Sequence, residues 1–174
     1  MIKNKAVFLD RDGVLNKAIS INDLVSRPPW HSKEIEIFEE AFYLIRLIKS
    51  FSYIPIVVTN QPDIGRGDID QKSVFEINKF IIRKLGIEYS FICPHGNDFE
   101  CNCRKPKPGM LLKASKKYNI NLSSSFMIGD RAKDIYAGIN AGTKTIFLSE
   151  ITIGVEDYLC KNHKHLIELL KKIL

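Results

Sequence analysis

The stretch "FLDRDGVLN", residues 8–16, places two carboxylates two positions apart, at Asp10 and Asp12, directly after a short apolar run. In extended chain, residues i and i+2 point to the same side. Two acids so placed repel each other unless a proton or a cation is shared between them. The pattern suits one nucleophile and one acid/base group, with Mg²⁺ neutralising the charge. It equally suits a capped turn in which Gly13 reverses the chain. "MIGDRAKD" supplies a further carboxylate at Asp130, the kind of ligand a hard cation takes. Asp134, four residues on, either joins that ligand set or supports Asp130.

A second constellation lies in "CPHGNDFECNCRKPKPG", residues 93–109. The chain has 4 cysteines and 4 histidines, and this stretch gathers three of the former and one of the latter. Cys93, His95, Cys101 and Cys103 follow the form C-x-H-x5-C-x-C. Four soft or borderline ligands with no open position describe a structural Zn²⁺ site. Chance clustering, or a single buried cysteine pair, is the competing account. Arg104, Lys105 and Lys107 follow at once, so a bound metal would fold the loop that carries these cations. Cys160 stands alone and reads as an ordinary thiol. His31, His163 and His165 form no pattern and read as surface residues. Trp30, beside Pro28 and Pro29, packs or anchors the segment ahead of the first helix. No serine-, cysteine- or histidine-based nucleophile has a comparable set of partners.

Alternating strands and helices must bring these groups together. "KAVFL" (5–9) and "IPIVVT" (54–59) read as buried strands, with helical spacing in "FEEAFYLIRLIKSF" (38–51) between them. Asp70 caps a helix over "QKSVFEINKFIIRKL", closed by Gly86. "IEYSFI" (87–92) is a third strand. Pro108 opens a helix through Tyr118. "SFMIG" (125–129) is a fourth strand, "AKDIYAGINA" (132–141) a helix closed by Gly142, and "TKTIFL" (143–148) a fifth strand. The tail from about Val155 to Leu174 reads as a last amphipathic helix. The pattern predicts a three-layer, Rossmann-like α/β fold with a parallel sheet of about five strands, as one domain over 1–174 and with no large cap domain. Right-handed crossovers put every strand's C-terminal end on one edge, where such folds bind ligands. Asp10 and Asp12, Thr59 and Asn60, the cysteine loop and Asp130 all lie just past strand ends.

"DRDGVLN", "TNQ", "RKP" and "GDRAKD" resemble, in order, the four motifs of the haloacid dehalogenase superfamily of phosphatases. The zinc-type loop followed by "CRKPKPGM", and Asn16 after "DGVL", are similar to the D-glycero-D-manno-heptose 1,7-bisphosphate 7-phosphatase family within it. The resemblance implies that Asp10 attacks phosphorus and forms an aspartyl-phosphate, and that Asp12 protonates the leaving oxygen and later activates water. It implies that Thr59 and Lys105 hold the transferring phosphoryl group. Mg²⁺ is then bound by Asp10, the Asp12 carbonyl and Asp130, with Zn²⁺ purely structural. Asn60, Gln61, Arg104 and Arg131 are the expected substrate contacts. The implied task is removal of the 7-phosphate of the heptose bisphosphate in nucleotide-heptose biosynthesis for surface polysaccharide. Histidinol-phosphate phosphatases share the zinc loop and the "RKP" and are the alternative within catalysis. A non-catalytic, zinc-stabilised interaction domain is the alternative of another class, and it expects at least one motif residue to be lost.

Bulk composition fits this reading. The chain has 174 residues, 45% hydrophobic and 26% charged, with formal charge +6. A net positive charge suits a phosphorylated small molecule. The lysines are spread rather than blocked, which argues against a nucleic-acid partner. No run approaches the roughly 18 apolar residues of a membrane span. The start, "MIKNKAVFLDRDG", lacks the form of a signal peptide. A cytoplasmic monomer with no membrane partner is expected.

Overall fold

Alternation of side chains along the strands decides the layering. A computed structural model of the chain describes residues 3–22, 25–96 and 98–174. In β1 (Lys5–Leu9), Val7 and Leu9 enter one apolar cluster while Ala6 and Phe8 enter another. β4 (Tyr53–Asn60) and β6 (Phe126–Gly129) split in the same way, Val57 and Ile128 to the first side, Val58 and Met127 to the second. A strand buried on both faces must be apolar at successive positions, as these are.

The first cluster is closed by α1 (Glu39–Ser50), α3 (Gln71–Leu85) and α6 (His163–Ile173), through residues such as Leu44, Ile81 and Leu166. The second is closed by α4 (Gly109–Tyr118) and α5 (Ala132–Ala141), through Leu111 and Ala137. The three expected layers result. α3 starts where Asp70 accepts from the Ser73 N–H at 2.9 Å and stops at Gly86, which is left-handed at φ +69°. A short α2 (Pro62–Arg66) follows β4. None of the described helices is long and apolar enough to cross a membrane.

With β5 (Tyr89–Cys93), β7 (Lys144–Leu148) and β8 (Tyr158–Cys160), the described residues form a six-stranded parallel sheet, ordered β5-β4-β1-β6-β7-β8. The chain runs outward from β1 to β4 and β5, then returns to β1's other edge to place β6. The switch point of the sheet is therefore the C-terminal end of β1.

The sheet has one strand more than the sequence pattern predicts. Residues from 155 onward do not enter a helix directly: β8 comes first, and Asn162 caps α6 only at His163. Three residues are too few to show a period. β8 is fixed instead by a distant contact, the Asp157 carboxylate accepting from the Thr145 N–H (2.7 Å) and Thr145 Oγ1–H (2.9 Å). The irregular stretch ahead of α1 contains a small antiparallel pair, β2 (Ile19–Asn22) with β3 (Val25–Arg27).

Thr145 is fully buried and its hydroxyl also accepts from the Asp157 N–H at 3.0 Å. Thr145→Val keeps the shape and removes both bonds, so it should lower stability by about 1–2 kcal/mol. Urea unfolding of the two proteins measures the difference.

Candidate active site

Asp10 is the first residue past β1. Its N–H donates to the Ile128 carbonyl of β6 at 3.0 Å, so the sheet itself sets where the carboxylate stands. Lys105 reaches it from the loop after β5. The Lys105 ammonium donates to Asp10 Oδ1 at 2.8 Å and to the Val58 carbonyl at 2.7 Å, and it lies 2.6 Å from Asp134 Oδ1. All three side chains are buried. Burial opposes the charge on Asp10, but the adjacent Lys105 ammonium outweighs it and holds the carboxyl below its ordinary range. Burial likewise opposes the charge on Lys105, yet Asp10 and Asp134 push its pKa up to about 12. Nucleophile candidate and cation are both fully ionised at neutral pH.

Asn60 and Gln61, expected at the substrate, are occupied within the protein. Asn60 lines the pocket but its amide clamps the Lys105 backbone, donating to the carbonyl at 3.0 Å and accepting from the N–H at 3.1 Å. Gln61 Nε2 donates to Asp12 Oδ2 (2.8 Å) and Thr59 Oγ1 (2.9 Å). Their task in this structure is to orient Lys105, Asp12 and Thr59.

The repulsion between Asp10 and Asp12 is relieved by a residue the sequence pattern passes over. Arg11 is fully buried, and its guanidinium grips Asp12 through Nε to Oδ1 (3.1 Å) and Nη2 to Oδ2 (2.9 Å). Asn16 Nδ2 donates to Asp12 Oδ1 at 2.9 Å. Two oxygens thus accept four hydrogen bonds. A buried arginine must find an anion, and Asp12 is its sequence neighbour; that requirement was the available signal for Arg11. Lys133, on the first turn of α5, is a second missed cation at the pocket wall.

Asp130 is the carboxylate left over. Carboxylate oxygens of Asp10, Asp130 and Asp134 lie within 4.8 Å of one another. Asp130 Oδ1 is buried without a hydrogen-bond partner among the described residues. Burial, then the charges of Asp10 and Asp134, push its pKa up to about 7. Gly13 gives it room: at φ +99°, a Cβ there would stand 2.1 Å from Asp130 Oδ2. The turn that Gly13 makes is therefore part of the cluster rather than a competing account of it. Asp134 belongs to the cluster itself, and its Oδ2 also accepts from the Arg131 N–H at 3.1 Å.

The second constellation also converges. Cys93 Sγ lies 3.5 Å from His95 Nδ1, 3.2 Å from Cys103 Sγ and 3.8 Å from Cys101 Sγ, and none of these cysteines is in a disulfide. The four donor atoms can hold one metal ion. Without one, burial pushes the Cys93 thiol up to about 12. Cys160 is a buried thiol away from this group, and His163 is not a plain surface residue: its ring lies tilted against Phe38, centroids 4.4 Å apart, and its Nε2 meets the Val14 carbonyl at 2.8 Å.

Asp10, Asp12 and Thr59 open into a cavity of about 430 Å³. Its rim carries Arg27, Arg66, Arg104 and Arg131. Arg27 is paired with Glu34, and Arg66 with Asp63 and Asp68. Arg104 donates to the His95 carbonyl (3.1 Å) and Arg131 to Ser26 Oγ (2.9 Å). Glu100, an obvious acid for Arg104 in the sequence, is not the partner of that bond.

Known proteins resemble the chain over its length. A family model described as HAD-hydrolase-like matches residues 102–157, the stretch holding Lys105 and Asp130. The D-glycero-beta-D-manno-heptose-1,7-bisphosphate 7-phosphatase of Helicobacter pylori (strain ATCC 700392 / 26695) is 34% identical, covering 98% of this chain and 100% of that protein. The D-glycero-alpha-D-manno-heptose-1,7-bisphosphate 7-phosphatase of Campylobacter jejuni is 31% identical over 98% of each. A crystal structure of D,D-heptose 1,7-bisphosphate phosphatase from B. bronchiseptica, complexed with magnesium and phosphate, superposes with a TM-score of 0.80 at 25% identity, over 97% of this chain and 98% of that one.

The raised Asp130 carboxyl fixes the sign of a stability effect. Between its ordinary value of 3.8 and about 7, the folded chain holds a proton that the unfolded chain has lost. Stability from this group therefore falls as pH rises through that window. In chelated protein, Asp130→Asn should be more stable than the parent by about 1–3 kcal/mol above about pH 7, and the gain should vanish near pH 4. Denaturant unfolding at the two ends of the window measures it.

Proposed function

The chain belongs to the D-glycero-D-manno-heptose 1,7-bisphosphate 7-phosphatase family of the haloacid dehalogenase superfamily, and we propose that it is itself the phosphatase that removes the 7-phosphate of that sugar bisphosphate in heptose biosynthesis. The observation that carries the reading is Lys105 Nζ at 2.8 Å from Asp10 Oδ1, at the floor of a cavity rimmed by Arg104 and Arg131. A cavity of about 430 Å³ is of the size that takes a monosaccharide carrying two phosphates.

Asp10 is the nucleophile. Its carboxylate oxygen bonds to phosphorus as the bond from phosphorus to the sugar's O7 breaks, leaving an aspartyl-phosphate. Asp12 gives its proton to O7. A water then attacks phosphorus and yields a proton to Asp12, which releases phosphate and restores Asp10. Thr59 and Lys105 hold the phosphoryl oxygens, and positioning of this kind supplies most of the catalysis in phosphoryl transfer. Every group around the Asp12 carboxylate is a hydrogen-bond donor. In the acid step Asp12 turns a protonated oxygen toward the leaving oxygen.

Mg²⁺ fits the donors present, because buried Asp130 Oδ1 lacks a partner beside the Asp10 carboxylate, and Asp10, the Asp12 carbonyl and Asp130 would hold it. When bound it neutralises charge on the transferring phosphoryl group. Zn²⁺ fits the Cys93, His95, Cys101 and Cys103 set, which has the softness and closed count of a structural site. Its task is to fold the loop that aims Arg104 and Lys105. The protein acts as a cytoplasmic monomer on a small phosphorylated sugar.

Purified protein should carry one zinc per chain by elemental analysis and keep it under chelation that strips magnesium. Cys103→Ser should lose the zinc and about 10²-fold in kcat, the scale of a 1 Å misplacement of catalytic groups. A disulfide between two of these cysteines in active protein would sink the clip.

Asp10→Asn should abolish phosphate release in protein that still folds, with a lowered unfolding midpoint because the buried Lys105 ammonium loses one of its two carboxylate partners. Arg104 and Arg131 take the retained 1-phosphate, which a guanidinium meets bidentately. Arg104→Ala should therefore raise KM for the bisphosphate about 10- to 100-fold and barely affect a sugar monophosphate. Comparing kcat/KM for both substrates tests this. Wild-type preference for histidinol phosphate would move the chain to that substrate, with the same phosphatase chemistry.

A further inference from the structure

One wall of the cavity is built by residues that none of the phosphatase motifs contains. Trp30 lines the cavity and is the one tryptophan of the chain. Its indole Nε1–H donates to Asp63 Oδ2 at 2.7 Å. Asp63 is 2% exposed and its other oxygen accepts from Arg66. The Trp30 backbone N–H donates to Glu34 Oε2 at 2.8 Å. The same Glu34 carboxylate holds Arg27 at both nitrogens, and the Arg27 guanidinium lies 4.4 Å from the indole centroid.

Each polar atom of Trp30 able to donate is thus committed inside the protein, and the ring's position is fixed from three directions. A fixed aromatic ring with no hydrogen bond left to give can recognise only shape and C–H surface. The charged groups around the ring are paired with one another: Arg27 faces Glu34, and Arg66 faces Asp63 and Asp68. On this side of the cavity the indole is the large apolar surface, set among charges already paired within the protein, while Arg104 and Arg131 stand on the lining as well. A pyranose has such a C–H face between its polar edges, and aromatic rings bind electron-poor C–H groups against their negative face. A ring held in place before binding loses little entropy on contact.

We propose that Trp30, anchored by Asp63, is the platform for the sugar ring of the substrate and the residue that selects a cyclic sugar phosphate over a small acyclic one. The assignment rests on the phosphatase reading above and adds the part of the site that reads the sugar. Trp30 is a specificity residue and Asp63 a positioning residue, since Asp63 acts through the indole.

The lone tryptophan makes the test direct. In Asp10→Asn protein, which holds substrate without turning it over, heptose 1,7-bisphosphate should shift the intrinsic emission saturably. Inorganic phosphate and acetyl phosphate should not. Calorimetry run in parallel shows whether each compound binds; a bisphosphate that binds with no change in emission overturns the proposal. In otherwise wild-type protein, Trp30→Ala should raise KM for the bisphosphate roughly tenfold, leave kcat within about threefold and leave acetyl phosphate hydrolysis unchanged. Trp30→Phe, which keeps a ring without the N–H, should fall between the two, and Asp63→Asn should follow Trp30→Phe. Equal losses on both substrates, or no loss on either, overturn the platform. If the preferred substrate is another cyclic sugar phosphate, the heptose assignment fails, and the same comparison with that sugar against acetyl phosphate decides the role of Trp30 separately.

Discussion

The ammonium of Lys105 is the point on which the site depends. It is buried and touches Asp10, Asp134 and the Val58 carbonyl. These come from the ends of β1 and β4 and from the first turn of α5. A buried lysine without such partners would give up its proton, and buried carboxylates without it would take one up. Three chain segments are therefore held at one place by charge as well as by the sheet. Asn60 completes the arrangement by binding the Lys105 backbone in both directions.

Counting charge around that lysine explains the rest of the floor. Arg11 answers Asp12, and Lys105 answers Asp10 and Asp134. Asp130 makes no ion pair among the described residues, and burial with the charges of Asp10 and Asp134 pushes its carboxyl up to about 7; burial raises Asp134 as well. Asp10, Asp12, Asp130 and Asp134 outnumber Arg11, Lys105 and Lys133, so the floor favours a further cation. The cysteine loop gathers softer atoms: three sulfurs and an imidazole nitrogen lie close enough to hold one metal ion.

Much of this was legible in the sequence, for physical reasons. Helices such as 71–85 carry both an N-cap and a left-handed glycine, and signals at both ends fix a boundary. Residues just past strand ends must meet on one edge, so the convergence of Asp10, Lys105 and Asp130 followed from strand order alone. Short elements were missed, β8 because three residues show no period and the β2–β3 pair because its apolar pattern is slight. The bonds that Asn60 and Gln61 make to Lys105 and Asp12 span 45 and 49 residues along the chain, so no local pattern reports them. Arg11 escaped because the eye follows the two aspartates that flank it. The Trp30–Asp63 contact spans 33 residues and joins the loop after β3 to α2, which no local pattern reports.

The central place of β1 in the sheet governs how the protein comes off the ribosome. β1 is made first, yet its two neighbours are β4, beginning at Tyr53, and β6, beginning at Phe126. Val7 pairs with Phe126. At about 5–20 residues per second, synthesis takes roughly 6–24 s to deliver that partner after Val7 is made. Through this interval one edge of an apolar strand stays open, the kind of edge that invites pairing with another chain. Asp10 gains its backbone bond to Ile128 only at the close of that wait. The nascent polypeptide is thus exposed longest at the strand that ends beside Asp10, and this is the stage at which a holding chaperone has most to protect.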